Sequence, residues 1–399
     1  MSRCVAVLCL ALLCALPVSA RVLEITVVSD ATEARSEVAR QESSQSFAGI
    51  AVKVSRPVDR AVALALHESA TLLDTLGITT QLGTLSLDPV TAIAPQLNAA
   101  PKGSLLVLDL PLSLMERVAT EADRLGRATV NVRHSDAYLR DVLCLPTLFH
   151  TIPSDRMYFD ALGQFLVFRG WRKILVVRGP SDQDAARAET LTASLRKFGA
   201  TVEAVREFSL SHHPDDRDKN TPEFLTGGVS YDAVAVIDSD GDYGRYVQYS
   251  TRRPRPVVGD VGLKASGWHY ALERYGAPQL NERYRAFADY PRLHGRAAMT
   301  DVEFAAWAAV KLIANSVGTL AADVPLDVLS ILTDPASQVD LYKGTRGSIR
   351  QWNNQLRQPI LLGSADAVIA VAPMPKFLHP THYVDTLGID QPESTCQLR

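Results

Sequence analysis

Three carboxylates at alternate positions, Asp238, Asp240 and Asp242, have a spacing that suggests chemistry in this 399-residue chain. Runs of oxygen ligands like this hold hard cations such as calcium. The match stops there. Tyr243 stands where the EF-hand turn needs glycine, and Tyr249 where it needs the bidentate glutamate. A second cluster, Ser211-His212-His213-Pro214-Asp215-Asp216, has residue types that chelate cations. A long, polar, proline-broken run reads more naturally as a solvated loop. His67-Glu68 begins like the zinc-protease helix motif, but Thr71 occupies the place of the second histidine. His67 therefore reads as an ordinary helix residue. No G-x-S-x-G, no Walker A motif and no G-x-G-x-x-G after a first strand occurs. Nothing supplies a nucleophile–base pair at recognisable spacing. The residues point to binding rather than catalysis, with no cofactor and no metal expected.

Position says more than spacing. Asp238 and Asp240 follow the apolar run Tyr231 to Ile237, at its carboxyl end. Open α/β sheets present their ligand-contacting residues there. By the same rule Asp109 and Ser113 stand just past Leu105 to Leu110, where Pro111 and Leu112 open a helix. The free N–H groups of such a helix start suit an anion such as a ligand carboxylate. His134, Ser135 and Tyr138 follow a strand that ends at Val132, and Ser154 with Asp155 opens a helix in the second half. Each of these alone reads as a cap or a satisfied polar group. Together Asp109, Ser113, His134, Ser135, Tyr138, Ser154, Asp238 and Asp240 mark where a cleft between two halves should lie. Trp268 and Tyr270 would give it an apolar wall, or else belong to the core.

The elements that position these residues alternate. Leu23 to Val28 reads as a buried strand, and Val58 to Leu76 as a helix with Val62, Leu66, Ser69, Leu72 and Leu76 on one face. Leu105 to Leu110 is a strand, Leu112 to Leu125 a helix with Leu112, Met115, Val118, Ala122 and Leu125 in one stripe, and Ala128 to Val132 a strand. The rhythm restarts with a helix from Arg156 to Arg169, a strand Lys173 to Val177, and a helix Asp182 to Phe198 stopped by Gly199. Strands Thr201 to Phe208 and Tyr231 to Ile237 follow. Arg252 to Gly262 carries two prolines and two glycines and reads as a crossing segment rather than a sheet centre. Later come a helix Asp301 to Val317 and a strand Ala367 to Val371. This is α/β: two doubly wound, Rossmann-like lobes joined by hinge crossings.

Composition agrees. Hydrophobic residues make up 47%, ample for packed cores, and the formal net charge of -3 gives no global basic field for nucleic acid. No apolar run reaches the roughly 18 residues of a transmembrane span. Met1-Ser2-Arg3, the apolar Cys4 to Leu16, and small residues at Val18 and Ala20 predict a secretory signal peptide over 1–20 and a periplasmic location. Cys4, Cys9 and Cys14 would leave with it. Cys144 and Cys396 then remain, expected as a single disulfide worth about 3–5 kcal/mol by loop entropy, the alternative being two unpaired buried thiols. The expected division is 21–148 with 262–345 as lobe 1, 149–261 with 346–384 as lobe 2, and 385–399 as a disulfide-tethered tail.

Four segments carry a resemblance: HTIPSDRMYFDALGQFL (150–166), PRPVVGDVGLKASGWHY (254–270), GSIRQWNNQLRQPILL (347–362) and FLHPTHYVDTLGIDQPESTC (377–396). They resemble the type I periplasmic substrate-binding proteins encoded beside PQQ-dependent alcohol dehydrogenase systems, distant relatives of the branched-chain amino acid binding proteins. The resemblance implies a monomeric receptor that closes on a small polar solute and docks on ABC permease subunits. The alternative is an accessory or sensor protein for the PQQ-dependent dehydrogenase, with no transport role. It does not imply that the chain binds PQQ. Branched-chain binding proteins hold the ligand carboxylate with a hydroxyl-rich stretch. The corresponding stretch here is Asp109-Leu110-Pro111-Leu112-Ser113, and Asp109 would oppose a carboxylate.

Overall fold

A computed structural model describes residues 21–33, 57–209, 218–287, 298–319, 326–396 and 398. Residues 1–20, read above as a signal peptide, and the Ser211–Asp216 cluster lie outside the described residues.

The first lobe is built on five parallel strands in the order β2-β1-β3-β4-β5. They are β1 Arg21–Asp30, β2 Ile78–Leu87, β3 Leu105–Asp109, β4 Thr129–Asn131 and β5 Leu148–His150. From Ile25 onward β1 is buried on both faces, as a parallel strand covered by helices must be. Helix α1 (Pro57–Thr75) covers one face and α2 (Leu112–Arg124) the other.

The second lobe has four parallel strands in the order β7-β6-β8-β9. They are β6 Lys173–Arg178, β7 Thr201–Glu207, β8 Ala233–Ile237 and β9 Val257–Gly259. Helices α3 (Asp155–Phe168) and α4 (Asp182–Lys197) pack on one face. Ser154 and Ser181 cap them by accepting the N–H of Met157 and Asp184. Gly199 follows α4 at φ +87°, the left-handed turn that ends a helix at low cost. The opposite face carries no long helix among the described residues; Phe208, Leu225, Tyr243 and Val247 cover it, with Phe208 stacked on Tyr243 at 4.2 Å.

The chain changes lobes three times. Ile152 packs in the first core and Met157 in the second; Ala265 packs on the second and Trp268 in the first; Leu356 packs in the first and Ile360 in the second. Strands β10 (Lys264–Ser266), β13 (Ile360–Gly363) and β14 (Val368–Ala372) pair antiparallel beside these crossings. Between them α5 (Ala277–Phe287), α6 (Asp301–Ser316) and a two-residue ribbon, β11 (Val339–Asp340) with β12 (Arg346–Gly347), complete the first lobe. Among the described residues no helix is long and apolar enough to cross a membrane.

Three details differ from the sequence reading. Strand β2 lies in a stretch with no periodic signal, because Thr79 to Thr84 are exposed on both faces of a sheet edge. In α1 the inward residue is Leu73, while Leu72 faces solvent, since Ala61 and Ala65 shift the buried stripe by one position. In α2 the stripe is Leu114, Met115, Val118, Ala119 and Ala122, with Leu112 and Leu125 only partly buried. The Arg252–Gly262 segment is not a sheet centre: it supplies the edge strand β9 before the chain crosses. Glu68 is taken up by Arg283 at 2.6 Å and Trp307 Nε1 at 3.0 Å, and the His67 ring lies against Phe287, so this pair is structural.

Candidate functional site

Parallel pairing places every strand end of a lobe on one side. In the first lobe, the buried Asn131 at the end of β4 shapes the loop that follows. Its Oδ1 accepts the N–H groups of Arg133 and His134 at 3.0 and 2.9 Å, and its Nδ2 donates to the His134 carbonyl at 2.8 Å. Arg133 donates to Glu33 at 2.7 Å and lies 3.7 Å from Asp109. His134 Nε2 donates to the Leu110 carbonyl at 2.7 Å, which fixes the proton on Nε2. Burial pushes this imidazole below its ordinary value, so it stays neutral. Tyr138 donates its hydroxyl to Glu116 at 2.8 Å on the exposed side of α2, and Ser113 is exposed on the first turn of that helix.

Ser135 reaches across the boundary. Its hydroxyl donates to Asp155 Oδ1 at 2.9 Å, and its carbonyl accepts the Asp155 N–H at 2.8 Å. Asp155 opens α3 and lies 3.6 Å from Arg187 of α4. Arg187 in turn makes a bidentate pair with Asp260, at 2.7 and 2.8 Å. Burial pushes the Asp155 carboxyl up, opposed by the Arg187 guanidinium and the Ser135 hydroxyl. Arg187 is held above the ordinary arginine value by Asp260 and Asp155, against the pull of its own burial.

Asp260 owes its place to Gly259, whose φ is +108° and where an added Cβ would lie 2.3 Å from the Val236 carbonyl oxygen. Asp260 also accepts the Asp238 N–H at 2.8 Å, tying the ends of β8 and β9 together.

The expected site residues therefore divide. Ser135 stands directly at the lobe boundary, with Asp155 against it. Asp109 and His134 stand on the first-lobe rim. Ser154 is buried as the α3 cap. Asp238 is buried, and its carboxylate accepts the N–H groups of Gly241, Tyr243 and Gly244 at 3.1, 3.0 and 2.6 Å. Asp240 is exposed, and Asp242 lies 3.6 Å from Arg245. The three carboxylates diverge, and among the described residues no three His, Cys, Asp or Glu side chains gather as metal ligands. Trp268 is core: it stacks on Phe304 at 4.5 Å, and its Nε1 donates to Asn281.

Arg133, Arg187 and Asp260 were missed in the sequence. Asp260 had a signal: it follows a short apolar run, once Val257–Gly259 is taken as a strand. Arg187 had none, because its role depends on partners far along the chain. Among the described residues, surface cavities of about 700 and 440 Å³ lie elsewhere. Arg206, Phe224 and Arg252 line the first; Ile93, Glu116 and Arg117 line the second.

No protein-family model matches the chain, and no curated protein matches it in sequence. Solved structures do match in fold. A branched-chain amino acid ABC transporter periplasmic ligand-binding protein from Burkholderia xenovorans aligns at TM-score 0.64 and 10% identity, covering 88% of this chain and 95% of that one. A solute-binding protein of an ABC transporter from Rhodopseudomonas palustris, in complex with 3,4-dihydroxybenzoic acid, aligns at 0.59 and 11%, covering 88% and 94%. A branched-chain amino acid transporter substrate-binding protein from Streptococcus pneumoniae, in complex with isoleucine, aligns at 0.58 and 14%, covering 88% and 99%. Each of the three is a ligand-, solute- or substrate-binding protein of a transporter.

Proposed function

We propose that the chain, which has the type I periplasmic-binding-protein fold, is the receptor of an ABC transporter and closes its two lobes on a small polar solute. The observation that carries this reading is the polar chain Ser135–Asp155–Arg187–Asp260, which runs from the first lobe into the carboxyl ends of the second sheet. Arginines at such a boundary receive an anionic or hydroxyl-bearing group, and the flanking carboxylates receive donors. Hinge closure around a ligand belongs to the repertoire of two-lobed folds. The fold neighbours support the receptor class, and their differing ligands leave the solute open.

In this reading Asp109, Ser113, His134, Ser135 and Tyr138 form the first-lobe side. Ser154, Asp238 and Asp240 belong to the second-lobe side, with Ser154 and Asp238 acting through the backbone they hold. Arg133 offsets Asp109, so an acidic solute is met by Arg133 and Arg187 rather than by a hydroxyl row. The periplasmic setting rests on the N-terminal signal pattern. The narrower setting, beside a PQQ-dependent alcohol dehydrogenase and its permease, rests on the four sequence segments. Permease and ATPase genes next to this one would support it.

A thermal-shift screen of the oxidised protein tests the reading. The panel holds amino acids, short alcohols with their aldehydes and acids, PQQ, calcium and lanthanide ions. A ligand at 100 times its Kd adds about 2.7 kcal/mol to stability. Stabilisation by one solute class, lost in Arg187→Gln, is the expected result. No shift with any member overturns the receptor reading for these compounds.

A further inference from the structure

We propose that the segment from Met374 to Cys396 is a strap that limits how far the two lobes separate, with the Cys144–Cys396 disulfide as its lock. The segment leaves β14 on the second lobe and is fastened there first. The Met374 N–H donates to Gln164 Oε1 at 2.9 Å, and the Gly388 N–H donates to Asp160 Oδ2 at 2.9 Å. Lys197 Nζ donates to the same carboxylate at 3.1 Å and to the Gly388 carbonyl at 3.2 Å. Met374 and Leu387 are buried in the second core.

Its middle is fastened to the turn that precedes the third crossing. Asp385 accepts Arg350 Nε at 2.9 Å and Arg357 Nε at 2.9 Å, the Leu387 carbonyl accepts Arg350 at 2.7 Å, and the Ile389 carbonyl accepts Trp352 Nε1 at 3.1 Å. That turn is itself docked on the first lobe. Asn354 Nδ2 donates to the carbonyls of Pro146 and Leu148, and Gln355 Nε2 to those of His150 and Ile152. Arg140 Nε donates to Gln355 Oε1 at 2.7 Å.

Its end is fastened to the first lobe. Thr395 donates its hydroxyl to the Asp141 carbonyl at 2.7 Å, and Cys396 is bonded to Cys144 across 252 residues of sequence. Cys144 has φ +48°, a left-handed conformation unusual for cysteine.

The lobes therefore have four covalent connections, three chain crossings and this bridge. Between Gly388, the last backbone group of the segment bonded to the second lobe, and Cys396 lie eight peptide steps, with the exposed Glu393 3.9 Å from Lys197 as a weaker surface contact on the way. Fully extended these reach at most about 27 Å. Opening beyond that reach must pull Gly388 from Asp160 or break the bridge. Closure is unhindered, because a strap resists only extension.

The strap needs lobes that move against each other, as the receptor reading does, but no particular solute. The test is accordingly made without ligand. The folded, oxidised chain is compared with the same protein reduced by tris(2-carboxyethyl)phosphine and alkylated. In that reduction the phosphine takes oxygen from water to become its oxide, and the bridge becomes two thiols. Small-angle scattering reads the radius of gyration, and amide exchange reads segments 150–155, 264–268 and 357–360. The expected result is a larger radius and roughly tenfold faster exchange at the crossings on reduction. Equal radii, with faster exchange confined to 389–396, overturn the strap. If reduction unfolds the chain, a six-residue Gly-Ser insertion after Glu393 keeps the bridge and lengthens the strap. It must enlarge the radius in the same way, and an unchanged radius overturns the proposal.

Discussion

Ser135 of the first lobe donates its hydroxyl to Asp155, the first residue of the helix that opens the second, at 2.9 Å. The bond joins the two halves where the chain first passes between them. It also sets the environment of Arg187, because Asp155 is one of the two carboxylates that hold that guanidinium. Ser135→Ala leaves Asp155 with one donor fewer in a partly desolvated place. Hydrogen bonds to charged groups contribute about 1.5–3 kcal/mol. The variant should lose stability in that range in urea titration, and its Asp155 carboxyl, followed by carbon-detected NMR, should titrate higher than in the parent.

Arg187→Met should show a larger and pH-dependent effect. Removing the guanidinium leaves Asp155 and Asp260 facing each other's charge, and breaking one side of a buried pair costs about 3–5 kcal/mol. With side chains still 14–23% exposed, solvent screening brings the expected loss to about 2–3 kcal/mol at neutral pH. Asp155 is already raised by burial, and losing the cation raises it further. A carboxyl raised in the folded state binds more protons there than in the unfolded chain, so stability recovers as pH falls. Urea midpoints at pH 5 should lie closer to the parent than those at pH 7.5. An equal deficit at both pH values would show that the Asp155 carboxyl does not sense the guanidinium.

Lys343 gives a second pH signature at the crossings. Its Nζ donates to the carbonyls of Gly267 and Pro359 and to Gln358 Oε1, at 2.7, 3.0 and 2.7 Å, so one ammonium gathers the second and third passages. Burial pulls it from the ordinary 10.5 down to about 7, with Asp301 opposing the shift. Between about 7 and 10.5 the unfolded chain binds the proton and the folded chain releases it. Stability contributed by this group therefore rises with pH through that window, by at most about 1.4 kcal/mol per unit. Lys343→Met should flatten the rise in urea midpoints between pH 7 and 9.5, at an overall loss of about 2–3 kcal/mol from the orphaned acceptors. The same slope in parent and variant would remove Lys343 as its source.

Much of this architecture is visible in the chain, and the gaps have physical causes. Leu105 to Leu110 and Tyr231 to Ile237 are legible as strands because burial on both faces demands an unbroken apolar run. Ile78 to Leu87 is not, because an edge strand exposed on both faces is under no demand for periodicity. The Cys144–Cys396 bridge was legible because only two cysteines follow the signal pattern. Within the candidate site, carboxyl-end logic pointed to Ser135 and helix-start logic to Asp155, and the two are hydrogen-bonded to each other at the lobe boundary. It could not separate a carboxylate that faces a ligand from one, like Asp238, that its own loop consumes. Arg187 was beyond reach, since nothing local distinguishes it from Arg196 of the same helix.

Asp238 supports the loop rather than standing free. Its carboxylate takes three backbone N–H groups, and Asp238→Ala would leave those of Tyr243 and Gly244 buried without an acceptor. The expected cost is about 1–3 kcal/mol. Because Asp260 binds the Asp238 N–H, the loop's collapse should also displace the Arg187 pair. A cooperative melt at lower temperature with weakened solute binding is expected. Unchanged stability with weaker binding would instead make Asp238 a direct ligand residue.

Asp385 carries the heaviest electrostatic duty in the C-terminal segment. It is buried and shared by Arg350, itself only 1% exposed, and Arg357. Burial pulls the Arg350 guanidinium below its ordinary value, and Asp385 is the group that opposes the pull. Asp385→Asn keeps the shape and one acceptor oxygen but leaves two facing cations without an anion. Losing one partner of a buried pair costs about 3–5 kcal/mol. The additional carbonyl acceptors of Arg350, from Val384 and Leu387, place the expected loss near the lower end. Arg350→Met with Asp385→Asn, which removes the buried cation as well, should recover part of that loss. Failure of the double variant to recover stability would mean that Arg350 and Asp385 contribute through packing rather than through charge.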